Sequence, residues 1–126
     1  MAVSSAAQKH QGRGSSTTTA GRERLGGARA DFVAKLGRRR AEIRSTLDSL
    51  RAEPSSRRYG NELRRRFHAL GAAAKLLRFG RLAEEIATVE GLLDEAEKRG
   101  ALSDGDFGAV ADLASRLTAL AWGTDE

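Results

Sequence analysis

The feature that most constrains this chain is a succession of four apolar stripes at helical spacing, separated by short breaks and nowhere replaced by alternation of period two. In the second stripe, Tyr59, Leu63, Phe67, Leu70, Ala74 and Leu77 recur at steps of four, four, three, four and three. At ~100° per residue these six gather within about 80° of one another, which predicts a helix with a single buried face. Leu82, Ile86, Val89, Leu93 and Ala96 make the third stripe. Phe107, Val110, Ala111, Leu113, Ala114, Leu117, Leu120 and Ala121 make the fourth. The first holds Leu25, Ala28, Phe32, Leu36, Ile43, Leu47 and Leu50; the Gly26-Gly27 pair weakens its start by ~1 kcal/mol per glycine relative to alanine. Four such helices with short loops, no strand and no internal repeat predict an all-α fold, an antiparallel four-helix bundle.

Local punctuation sets the ends. Pro54 stops the first helix, because its ring excludes the helical conformation from the residue before it. Ser55 or Ser56 can cap the second by accepting from an orphan amide. Arg78-Phe79-Gly80 is a short break that turns the third helix back beside the second. Lys98-Arg99-Gly100 ends the third with cations at the negative helix end and a glycine free to turn left-handed. Ser103 opens the fourth, with Asp106 where a capping box places its acceptor. The helices therefore span about 27–52, 56–77, 81–99 and 104–122. Residues 1–21 are polar and aperiodic, which predicts a disordered N-terminal tail, with its His10 incidental, ahead of a bundle over 22–126.

At 126 residues the chain has room for one modest core. Aromatics are few, and Trp122 is expected to close that core as a lid. No cysteine is present, which excludes disulfides and thiolate metal sites and fits a reducing compartment. With no apolar run near ~18 residues and no apolar signal core at the start, the expectation is a soluble cytoplasmic protein with no membrane contact. The net charge of +5 conceals two opposed blocks. Residues 38–81 carry thirteen Lys and Arg against four Asp and Glu, net +9, while residues 82–126 carry three against eleven, net −8. The halves are expected to satisfy much of each other's field, so the high pI is weak evidence for nucleic acid. Arg38-Arg39-Arg40 reads as a solvated face. The acids at Glu84-Glu85 and Asp94-Glu95-Glu97 read as solubility and pairing with the basic half.

Within the second helix the register sends His68 to the side opposite the apolar stripe, at about 180° from Tyr59. Arg64, Gly71, Ala72 and Lys75 fall within about 60° of it. Small neighbours clear the approach to the ring. A neutral imidazole keeps one unprotonated nitrogen and can act as a nucleophile, and flanking cations would stabilise an anionic group placed on it. One histidine outside the tail, no cysteine and no paired ligand motif leave neither a catalytic triad nor a transition-metal site.

These residues resemble the histidine-containing phosphotransfer (Hpt) domains of bacterial phosphorelays and chemotaxis-type kinases. That family carries His-x-Leu-Lys-Gly with small residues after it, then a turn glycine, a leucine early in the next helix and often a glutamate two turns beyond. This chain has His68-Ala69-Leu70-Gly71-Ala72-Ala73-Ala74, then Leu77-Arg78-Phe79-Gly80, then Leu82 and Glu90. It departs from the pattern where Gly71 and Ala72 replace the lysine and glycine, and where the turn glycine, Gly80, stands two places late. The missing cation's role would then pass to Arg64, Arg65 or Lys75. The resemblance implies that His68 accepts a phosphoryl group from an aspartate on a response-regulator receiver domain and passes it to another.

It also implies an upstream histidine kinase or hybrid kinase, since the chain has no GxxxxGK[ST] or GxGxxG phosphate loop and no ATP-binding domain of its own. Such a phosphocarrier needs no cofactor, and the Mg²⁺ of the transfer belongs to the receiver's acidic pocket. Two alternatives stand beside this reading. One is a degenerate Hpt-like adaptor that docks on a receiver without carrying phosphate. The other is a basic helical protein whose Arg38–Arg40, Arg57, Arg58 and Arg64–Arg66 meet nucleic-acid phosphates. A dimerising first helix is disfavoured by Arg39 at a would-be core position.

Overall fold

The computed structural model describes the backbone of residues 2–123 and the side chains of residues 20–123. Four helices follow one another: α1 (Ala2–Ala52), α2 (Arg57–Leu76), α3 (Gly80–Arg99) and α4 (Asp104–Trp122). No strand occurs among the described residues. The chain divides into two compact units, Met1–Phe32 and Val33–Glu126, with the boundary inside α1. The expected tail, 1–21, lies outside the described side chains except for Ala20 and Gly21. In the first unit α1 is helical through Gly26-Gly27, ahead of the start expected near residue 27. Glycine costs a helix entropy but keeps both of its backbone hydrogen-bonding groups, so the ladder is not interrupted. Ala28, placed in the first stripe by spacing, is exposed.

The second unit is the four-helix bundle. Its core takes Leu36, Ile43, Leu47 and Leu50 from α1, then Leu63, Phe67, Leu70 and Ala74 from α2. Leu82, Ile86, Val89, Leu93 and Ala96 come from α3, and α4 adds Phe107, Val110, Leu113, Ala114, Leu117 and Leu120. These are the residues that the 3.6-residue period gathers, and burying each large aliphatic side chain contributes roughly 1.5–3 kcal/mol. Phe67 is the largest fully buried side chain and sits beside His68 in sequence, so the core holds the backbone that carries the histidine.

Capping fixes where each rod stops. α1 ends at Ala52, two residues before Pro54. Ser56 caps α2 by accepting from the Tyr59 amide at 3.2 Å. Gly100 closes α3 in the left-handed region at φ 99°. Ser103 and Asp106 form a reciprocal capping box on α4, Asp106 accepting from the Ser103 amide at 2.9 Å and Ser103 Oγ from the Asp106 amide at 3.1 Å. Those bonds, with Arg99 alongside, hold the Asp106 carboxyl below its usual range.

Two further features depart from the sequence reading. Trp122 is 66% exposed and is no lid; at ~100° per residue it lies about 130° from the centre of the α4 apolar stripe, one step beyond buried Ala121. The α2–α3 turn does not use Gly80, which is the first residue of α3. Its left-handed residue is Arg78, at φ 67°. The Phe79 amide donates to the Ala74 carbonyl at 2.8 Å and the Arg78 amide to the Lys75 carbonyl at 3.2 Å, the bonding pattern of a Schellman C-cap with arginine in the place glycine usually takes.

Candidate functional site

Three consecutive arginines in α2 leave the helix in three directions, because successive side chains diverge by ~100°. Arg66 turns to α1, where Nη1 lies 3.3 Å from Glu42 Oε1. Its Nη2 reaches Glu62 Oε2 at 3.1 Å, and its Nε donates to Thr46 Oγ1 at 3.2 Å. Thr46 is the buried polar side chain among the described residues, 4% exposed, and its hydroxyl donates to Glu62 at 2.8 Å. Bonds from Thr46 and then Arg66 favour the charged carboxylate and hold Glu62 below its usual range. This network fixes α2 against α1. Arg64 turns the other way, to α3, with Nη2 3.2 Å from Asp94 and Nη1 2.9 Å from Glu97. Arg64 thereby joins the basic block to the acidic one. Arg65 faces solvent and makes no ion pair among the described residues.

His68 stands one turn beyond Arg64 and Arg65, on the outside of the bundle. Its side chain is 81% exposed, and Nδ1 lies 3.1 Å from Glu90 Oε2 on α3. An ionised carboxylate can only accept, so a neutral ring that makes this contact carries its proton on Nδ1 and keeps its lone pair on Nε2. Glu90, half-buried, comes from the middle of α3. A groove of about 720 Å³ runs between the two helices here, with Asn61, Arg64, His68, Glu90 and buried Leu93 in its walls.

Gly71 makes this contact sterically possible. A Cβ on it would stand 2.9 Å from Ile86 Cγ2 and 3.1 Å from Glu90 Oε1, the first inside any observed Cβ contact. The glycine therefore serves the close approach of α3 to α2, where spacing alone had it clearing the way to the ring. Ala69 and Ala72, both exposed, keep that approach low instead. Lys75, two turns past His68, is exposed and without an ion pair among the described residues. Of the cations expected to offset a phosphoryl charge, Arg65 and Lys75 are uncommitted, whereas Arg64 is held by two carboxylates.

No protein-family model matches the chain, and no curated protein matches it. Among the described residues no three His, Asp or Glu side chains converge as metal ligands would. No helix among them is long and apolar enough to cross a membrane.

Glu90 is a residue of the site that the sequence reading does not assign, although it stands in the resembled pattern. The available signal was its spacing from His68, 22 positions on. In an antiparallel pair with a short turn centred near residue 79, residues equidistant from the turn meet, and 68 and 90 are equidistant from it.

Proposed function

We propose that the bundle is a histidine phosphotransfer module that relays a phosphoryl group between His68 and aspartates of receiver domains. The observation that carries this reading is the pairing of an 81% exposed imidazole with a carboxylate on its inner nitrogen. In the transfer, the Nε2 lone pair forms an N–P bond as the P–O bond to the receiver's aspartate breaks, and the aspartate leaves as a carboxylate. The proton on Nδ1 stays in place. The ring gains positive charge as it takes the phosphoryl group, and Glu90 stabilises that charge through the Nδ1–H bond. Arg65 and Lys75 offset the phosphoryl oxygens and steer an acidic receiver surface towards the site.

The turn adds support. Arg78 takes the left-handed conformation two places before Gly80, the place where the resembled family has its turn glycine. On this reading the module is cytoplasmic, takes its phosphate from a histidine kinase or hybrid kinase through a receiver, and needs no cofactor of its own. Two observations favour docking without phosphate: Arg64 is engaged by Asp94 and Glu97, and Gly71 supplies no cation.

The deciding experiment charges receiver domains with labelled phosphate and incubates them with the protein. The relay reading expects acid-labile, base-stable label on the wild type and none on His68→Gln. Binding of a charged receiver without any label would leave docking alone, and label persisting in His68→Gln would remove His68 from the mechanism.

A further inference from the structure

The outer side of α2 carries a feature that phosphoryl chemistry does not use. At ~100° per residue, Arg57, Asn61, Arg65, His68, Ala72 and Leu76 fall in one arc about 100° wide, and all six are exposed. No carboxylate shares this arc, because the one acid of α2, Glu62, is turned to Arg66 and Thr46. Arg57, Arg65 and the adjoining Lys75 and Arg78 make no ion pair among the described residues. Leu76 ends the arc at 78% exposure, one of two large apolar side chains left in water among the described residues. The other, Trp122, belongs to α4. Leu76 does not sit on a loose end. The amides of Leu77, Arg78 and Phe79 all bond back into the last turn of α2, which fixes the backbone beneath it about 12 Å along the axis from His68.

A leucine set on a fixed backbone among uncompensated cations is complemented by the opposite pattern, an apolar recess rimmed by carboxylates. We infer that Leu76 is the apolar anchor of the surface that docks a receiver domain, seated in such a recess while Arg65 and Lys75 meet its acidic rim. The inference rests on the relay reading, because it takes the occupant to be the receiver that exchanges phosphate with His68. Low side chains at Ala69 and Ala72 let the two surfaces close between the anchor and the ring. The separation of anchor and histidine then sets which receivers place their aspartate on Nε2. Receivers lacking the recess are discriminated against by the loss of one buried leucine, about tenfold in affinity.

The test titrates the full chain with the organism's receiver domains, expressed singly, and measures both binding and label on His68. For the receiver that labels His68, Leu76→Ser is expected to weaken binding about tenfold at low and at high salt. Leu76→Gln, which keeps helix propensity, is expected to reproduce that loss. Arg65→Ala with Lys75→Ala is expected to flatten the salt dependence, and Trp122→Ser to stay within twofold of the wild type. Binding by both Leu76 variants within twofold of the wild type, with His68 still labelled, overturns the anchor and leaves the relay standing. If no receiver labels His68, the relay fails and the anchor fails with it.

Discussion

Gly71→Ala sets two effects of opposite sign against each other, and the structure decides which wins. In an open helix interior the substitution is worth ~1 kcal/mol in favour of alanine, through backbone entropy. At Gly71 the new Cβ would meet Ile86 Cγ2 at 2.9 Å and Glu90 Oε1 at 3.1 Å. The glutamate can rotate away, but Ile86 is fully buried and β-branched, so its χ1 is fixed in a helix and α3 must shift. Overpacking of this kind costs typically 1–3 kcal/mol. The net is a loss of ~1 kcal/mol, or a fall in melting temperature of roughly 4–8 °C for a domain of this size. Gly91→Ala is the internal reference, since Gly91 lies inside α3 with nothing within 4 Å of its Cβ position. It should gain ~1 kcal/mol. Urea unfolding of the two variants should therefore separate them by ~2 kcal/mol, with Gly71→Ala the less stable. Equal stabilisation of both would refute the close contact and, with it, the reason Glu90 reaches His68.

Arg78→Gly should raise stability by ~1 kcal/mol in the same assay, because an L-residue pays roughly 1–2 kcal/mol in the left-handed region that glycine enters freely. Thr46→Val keeps the shape of a buried side chain but strips Glu62 of a donor and Arg66 of an acceptor, and should cost ~1–2 kcal/mol. Since Glu62 is held below its usual range, its contribution is present above the ordinary glutamate value of about 4.3. That contribution is lost as pH falls below this value through the folded one. Glu62→Gln should flatten that acid limb in a melting-temperature series. Ser103→Ala should cost ~1 kcal/mol through the lost cap on α4, read by thermal unfolding.

Much of this architecture is legible in the residues because the signals are local. A proline ends α1, a serine starts α2, a glycine ends α3 and a serine–aspartate pair starts α4. Each acts on backbone groups within a turn of itself. What escapes the sequence depends on how one helix is rotated against another. Arg64, Arg65 and Arg66 read as one charge run, yet neighbouring helices claim two of them and leave the third to solvent. Gly71 reads as open space beside the histidine because only the approach of Ile86 shows otherwise. Trp122 is a case where register and composition disagree: its place off the α4 stripe points outward, the apolar indole points inward, and register wins. At Arg78 the chain uses a residue that the turn itself disfavours, and no composition rule points to it.

On the proposed relay, Glu90 is expected to hold the proton on Nδ1 of the outward-facing His68 and so to leave Nε2 to react. The ¹⁵N spectrum of the His68 ring, taken where the imidazole is neutral, tests it directly. A protonated Nδ1 and an unprotonated Nε2 are expected, with the Nδ1 proton released in Glu90→Ala. A ring protonated on Nε2, or one indifferent to Glu90, would overturn that role for Glu90.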